Sequence, residues 1–123
     1  MPKAVQDSVH KLNFPRTHRL VSKHDFQSVF AKPAKTTRNY LIALYKPNQQ
    51  SYARLGVIIG KRHYKRAVDR NQLRRIIRES FRHQHEAIKG LDIIVMLRSR
   101  TDIKNKKAIR DNIDTLWPSL VTP

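Results

Sequence analysis

Hydrophobic positions along the chain change their period several times, and each change marks an element. Phe26, Val29 and Phe30 follow Ser22-Lys23-His24-Asp25 at helical spacing. That predicts a short helix with Ser22 as N-cap and Asp25 in its first turn. Pro33 closes it, because proline removes a backbone donor and clashes with the preceding turn. Tyr40-Leu41-Ile42-Ala43-Leu44-Tyr45 and Arg54-Leu55-Gly56-Val57-Ile58-Ile59 read as strands, with turn chemistry from Pro47 to Ser51 between them. The two runs predict a hairpin over 40–59. After a basic connection from Lys61 to Arg66, a helical period runs from about Ala67 to Lys89, and Gly90 serves as its C-terminal cap. Asp92-Ile93-Ile94-Val95-Met96-Leu97 predicts an interior strand. Asp102 is placed as the cap of a last helix, with Ile103, Ile109, Ile113, Leu116 and Trp117 on one face and Pro118 as its stop.

The element order is α-β-β-α-β-α. It predicts an α+β fold, a two-layer α/β sandwich with a mostly antiparallel sheet of about four strands and a β-α-β unit over 54–98. At 123 residues the chain fits one domain. Residues 11–118 are assigned to it, and the polar residues 1–10 are expected to form a flexible N-terminal tail.

Charge adds what periodicity cannot. There are 26 Lys and Arg against 9 Asp and Glu, a net of +17. Residues 61–82 hold 9 basic and 2 acidic residues, whereas residues 83–123 hold 7 and 5. A coat that merely solubilised the chain would not divide this way, so the middle block is the candidate binding surface. No cysteine is present, which excludes disulfides, Cys-zinc sites and thiol catalysis. No apolar run approaches the roughly 20 residues that span a bilayer, and the start lacks a signal-peptide core. No membrane partner is expected, and a cytoplasmic location is. A small cationic chain of this kind has a polyanion as its usual partner, which points to nucleic acid.

On the long helix, Leu73, Ile76, Ile77, Phe81, Gln84, Ala87 and Ile88 fall within one arc of about 140°. Asn71, Arg74, Arg75, Arg78 and Arg82 fall within an adjoining arc of about 100°, with no carboxylate among them. Like charges four apart cost a few tenths of a kcal/mol each, and Arg70, Arg74, Arg78 and Arg82 stand in that relation in succession. A face meant only for solvation would interleave Glu. Arginine also suits bidentate phosphate contact and base stacking.

Other constellations carry less. His83 and His85 point about 200° apart on a helix, so they do not share an ion, and no metal site is expected. Asp111 and Asp114 lie in the near-neutral third and read as solvent-facing, so no catalytic residue is assigned. Gly56 and Gly60 do not make a phosphate loop. Phe26 and Phe30, one turn apart, suit either core packing or a platform on which single-stranded bases stack. Tyr45 shares strand parity with Ala43 and poses the same alternative.

The run Lys61-Arg62-His63-Tyr64-Lys65-Arg66-Ala67-Val68-Asp69-Arg70-Asn71-Gln72-Leu73-Arg74-Arg75-Ile76-Ile77-Arg78-Glu79-Ser80-Phe81-Arg82 resembles the signature of the bacterial ribonuclease P protein subunit. The signature has two basic residues, Ala, Arg-Asn, a basic pair, then Arg-Glu and an aromatic. Leu12 to Leu20 resembles the family's start, His24 to Phe30 its first helix, and Gly56 to Ile59 the strand before the motif. The resemblance covers roughly residues 11 to 117.

It implies a protein cofactor of a ribozyme that removes the 5′ leader of precursor tRNA, with hydrolysis performed by the RNA subunit and its Mg²⁺. The chain would then be an enzyme only as a subunit of this endoribonuclease. By resemblance, Lys61, Lys65, Arg66, Arg70, Asn71, Arg74, Arg75, Arg78 and Arg82 contact the RNA subunit. Phe26, Phe30 and Arg62 line a cleft for the leader. The resemblance places an aromatic on the cleft's first strand; Ala43 occupies the aligned position, with Tyr45 as a same-face substitute. Ile58 stands where a small polar residue is aligned. A left-handed β-α-β crossover is also implied, against the usual right-handed default. The expected partners are the RNA subunit and precursor tRNA, and no DNA. A structural RNA-binding protein, such as a small ribosomal protein, shares the composition but not the ordered motif. A protein-only nuclease would need clustered carboxylates.

Overall fold

The computed structural model describes residues 18–20 and 22–121. The tail expected over 1–10 lies outside them, as does the stretch 12–16 of the family-like start. The elements are α1 (Lys23–Phe30), β1 (Ala34–Arg38), β2 (Leu41–Pro47), β3 (Arg54–Ile58), α2 (Ala67–Gln84), β4 (Leu91–Leu97), α3 (Lys106–Asp114) and α4 (Leu116–Ser119). A 3₁₀ turn, His85–Ile88, follows α2.

The four strands form one sheet in the order β1-β2-β4-β3. β1 with β2 and β2 with β4 are antiparallel; β3 with β4 is parallel. The α+β class and strand number agree with the sequence, and the sheet is mixed. The hairpin expected over 40–59 does not form, because β4 inserts between β2 and β3. β2 pairs instead with the unforeseen β1 across a tight turn in which Asn39 takes a positive φ of 55°. β1 is Ala-Lys-Thr-Thr-Arg, largely exposed at the sheet edge. An edge strand with one solvated face needs no apolar alternation, and lysine there discourages pairing with another chain.

Alternate residues of β4 divide the interior. Ile93, Val95 and Leu97 join Leu41, Ala43 and Leu55 under α2, α3 and α4 in the main core. Leu73, Ile77 and Phe81 of α2 supply its opposing layer, with Ile109, Ile113, Leu116 and Trp117 from the C-terminal helices. On the other face, Ile94 packs with Val29 and Leu20 beneath α1. Ser80, absent from the expected apolar face, is fully buried. Its Oγ accepts from Trp117 Nε1 at 2.8 Å and donates to Asp114, which satisfies a polar group that would otherwise be costly to bury.

Helix ends follow capping chemistry with some shifts. Ser22 Oγ accepts from the Asp25 N–H at 3.0 Å, as its N-cap assignment requires. α2 ends earlier than Lys89, and Gly90, at φ +87°, bonds to the β2–β3 loop rather than capping the helix: its N–H donates to the Tyr52 carbonyl. The C-terminal helix is capped by Asn105, whose Oδ1 accepts from the Ala108 N–H at 3.1 Å, and not by Asp102. Asp102 Oδ1 is occupied with the Lys104 N–H at 3.0 Å. Pro118 sits inside α4 rather than stopping the helix before it.

Candidate nucleic-acid interface

Three rows of side chains cross the sheet face that carries α1. Register aligns Arg54, Asp92 and Lys46 in the first, Gly56, Ile94 and Leu44 in the second, and Ile58, Met96 and Ile42 in the third. The first row docks the helix at both ends. Arg54 makes two bonds to Asp92, 2.8 and 2.6 Å, and lies 3.5 Å from Asp25 in the first turn of α1. Asp92 is 5% exposed and also accepts from Asn48 Nδ2 at 2.9 Å, so its buried charge is fully met. The bonds that Arg54 donates to Asp92 are the leading cause that raises the Arg54 pKa above its ordinary value. Lys46 Nζ donates to the Ser28 and Ala31 carbonyls at the other end of α1. A cation there is also attracted by the negative end of the helix dipole.

The second row lies under α1. Phe26 rests on Gly56 so closely that a Cβ there would meet its ring atoms at 2.7 Å. The third row is left open. Ile58 is 39% exposed and Phe30 45% exposed, and Met96 and Ile42 are half-buried. Ile58, Met96 and Ile42 thus continue the sheet face past the row that α1 covers, and Phe30 is exposed on α1. Arg62 follows β3 on an exposed turn, four residues past Ile58.

The structure places Phe26 against Gly56 and leaves Phe30 exposed on the same helix, and it does not place Tyr45 on that face of the sheet. Tyr45 does share a face with Ala43, but that face packs against the main core, on the far side of the sheet. Ala43 is fully buried on that side too. The β2 positions on the face that carries α1 are Ile42 and Leu44, one residue out of step with the expected pair. Parity told which residues go together; only the docking of α1 and α2 tells which face is which.

On α2 the arginines divide by role. Arg70 turns back: its guanidinium donates to the Tyr64 and Lys65 carbonyls at 2.9 and 2.7 Å and holds the basic connection in place. Lys61, Lys65 and Arg66 are exposed on that connection, and Arg66 lies 3.9 Å from Asp69. Asn71 Oδ1 accepts from Arg74 at 3.0 Å, which orients the Arg74 fork. Arg75 is exposed, while Arg74, Arg78 and Arg82 are half-buried. Burial, then the charges of Arg19 and Arg74, hold the Arg78 guanidinium below its ordinary pKa. Arg19, which enters beside β3 through a bridge to Leu55, thus joins the face from outside the helix. Nothing in helical spacing reveals that contact.

Among the described residues, no three His, Asp or Glu side chains gather where they could hold a metal ion. No described helix is long and apolar enough to cross a membrane.

An α+β domain whose crossover helix gathers guanidiniums on one face belongs to the class of cationic domains suited to a polyanion. Comparison with known proteins narrows this class to one family. The Ribonuclease P family profile matches residues 14–121, and the chain belongs to that family. It is 38% identical over 108 residues to the ribonuclease P protein component of Chromohalobacter salexigens, covering 87% of this chain and 84% of that one. It is 36% identical over 110 residues to that of Pseudomonas paraeruginosa, covering 89% and 82%. Among solved structures, the RNase P protein of Staphylococcus aureus superposes with a TM-score of 0.76 at 25% identity, over 85% of this chain and 95% of that one. That of Thermotoga maritima gives 0.68 at 28% identity, over 82% and 96%.

Proposed function

We propose that this chain is the protein cofactor that binds the catalytic RNA subunit of ribonuclease P and the 5′ leader of precursor tRNA. In doing so it promotes endonucleolytic removal of the leader in the cytoplasm. The arginine face of α2, with Lys61, Lys65, Arg66 and Asn71, meets the RNA subunit. The sheet face that carries α1, with Phe26, Phe30, Ile42, Ile58 and Met96, receives the single-stranded leader together with Arg62. Mg²⁺ bound mainly by the RNA subunit supplies the hydrolytic chemistry.

The feature that carries this reading is the face of α2 on which Arg74, Arg78 and Arg82 stand half-buried beside exposed Arg75. A phosphate backbone suits such a face by supplying opposite charge and bidentate acceptors. Each released counterion also adds a salt-dependent share of affinity. The protein's part is positional: α2 fixes the cofactor on the RNA subunit, and the face that carries α1 holds the leader.

The test is the salt dependence of affinity for the RNA subunit. Log affinity is expected to fall by about 0.7 to 0.9 per log unit of salt for each neutralised phosphate. Arg74→Gln with Arg78→Gln flattens that slope by about one to two units. An unchanged slope in a folded double variant contradicts the assignment of this face to RNA.

A further inference from the structure

Taken as a whole, residues 83–123 look nearly neutral, yet five of their seven basic residues fall within ten positions. Arg98, Arg100, Lys104, Lys106 and Lys107 share that stretch with a single acid, Asp102. The net of +4 in ten residues exceeds the density of residues 61–82, which carry +7 in 22. The stretch is the β4–α3 loop with the first turn of α3.

Its acid is committed to the loop's own backbone, through the Lys104 N–H. Lys107 is engaged with Asp111 at 3.0 Å. Arg98, Arg100, Lys104 and Lys106 stand exposed. Lys106 opens α3, where a cation opposes the helix dipole and weakens the helix. Nothing in the fold itself gains from collecting cations there.

The loop is also anchored. Tyr64, 2% exposed, donates its hydroxyl hydrogen to the Thr101 carbonyl and accepts from the Thr101 N–H at 2.8 Å. The Arg100 guanidinium lies 5.3 Å over the Tyr64 ring. Gln72 of α2 donates to the Ile103 carbonyl at 3.4 Å, and Ile103 packs on the main core. Tyr64 is also the residue whose carbonyl Arg70 grips. One buried phenol thus ties the basic connection, the start of α2 and the loop into a single surface.

We propose that the loop from Arg98 to Lys106 is a second contact for an RNA phosphate backbone, continuous with the start of α2. This rests on the RNA-binding reading of α2 and widens its footprint onto the C-terminal part of the chain. An arginine held over a tyrosine ring can still offer its guanidinium N–H groups to a phosphate, whose recognition by arginine is bidentate. The phosphates belong either to the RNA subunit or to the tRNA, and the experiment separates them.

The variant Arg100→Gln/Lys104→Gln/Lys106→Gln changes only exposed side chains, and its thermal melting is measured to show that it folds. Two affinities are measured against salt: protein for the RNA subunit, and assembled enzyme for precursor tRNA. Loss of about two units of slope in the first arm assigns the phosphates to the RNA subunit, and loss in the second assigns them to the tRNA. Both arms unchanged in the triple variant, while Arg74→Gln/Arg78→Gln still flattens its slope, overturns the loop contact and leaves the α2 reading standing. If neither variant moves a slope, the α2 reading fails and the loop contact with it. Tyr64→Phe keeps every charge and frees the loop; severalfold weaker binding is expected, and wild-type binding overturns the claim that the phenol holds the loop in place.

Discussion

Phe30 offers the sharpest separation of recognition from stability. Truncating a fully buried Phe costs about 3 to 5 kcal/mol. Phe30 is 45% exposed, so its truncation leaves no closed cavity. Roughly half of that transfer cost, with little cavity penalty, leaves about 1 to 2 kcal/mol of stability at stake in Phe30→Ala. A base stacked on an aromatic ring contributes about 1 to 3 kcal/mol, which is about 5- to 150-fold in affinity. The two losses appear in different assays. Thermal melting of the free protein reads the first. Equilibrium binding of precursor and mature tRNA to the assembled enzyme reads the second, because mature tRNA lacks the leader. The expected result is a folded variant whose precursor affinity drops about tenfold while its mature-tRNA affinity and its affinity for the RNA subunit hold. A folded variant with an undiminished preference for precursor refutes the assignment of Phe30 to the leader. A large fall in melting temperature with parallel loss of all RNA binding refutes the argument from exposure.

Other outcomes follow from the same geometry. Gly56→Ala forces a methyl group against the Phe26 ring and should destabilise the fold by about 1 to 3 kcal/mol, read by denaturant unfolding, with the loss largely removed in a Phe26→Leu background. His18 stacks on Tyr52 at 4.9 Å, and burial, then His85, lower its pKa, partly offset by Glu86. The unfolded chain therefore takes up the His18 proton more readily, so this contribution to stability is present above the unfolded pKa of 6.5 and is lost as pH falls through the lower folded value. Melting temperature should drop less between pH 7.5 and 5 in His18→Asn than in the wild type. Sulfate or RNA at constant ionic strength should raise the melting temperature, because a chain of net +17 binds polyanions when folded; indifference to both speaks against an assembled anion-binding surface.

What the sequence made legible, and what it hid, separates along physical lines. Local signals were sufficient where one residue type satisfies one local need: Ser22 as a cap, and the apolar face of α2 with Leu73, Ile77 and Phe81. β1 carried no such signal, since Lys35, Thr37 and Arg38 are exposed on an edge strand. The apolar runs of β2 and β3 announced strands but not partners, and β4 took the place between them. Tyr45 was paired with the correct neighbour and assigned to the wrong face, because alternation fixes relative orientation only. The loop from Arg98 to Lys107 vanished into an average with Glu86, Asp92, Asp111 and Asp114. Arg19 reaches α2 only through the tertiary fold.

The central claim is that this protein serves a catalytic RNA and does not cut RNA by itself. The direct measurement is removal of the 5′ leader from precursor tRNA at low Mg²⁺, with the protein alone, the RNA subunit alone, and the two together. Cleavage by the mixture at a rate far above that of the RNA subunit, with none by the protein alone, is the predicted result. Cleavage by the protein free of RNA, or a mixture no faster than the RNA subunit, contradicts it.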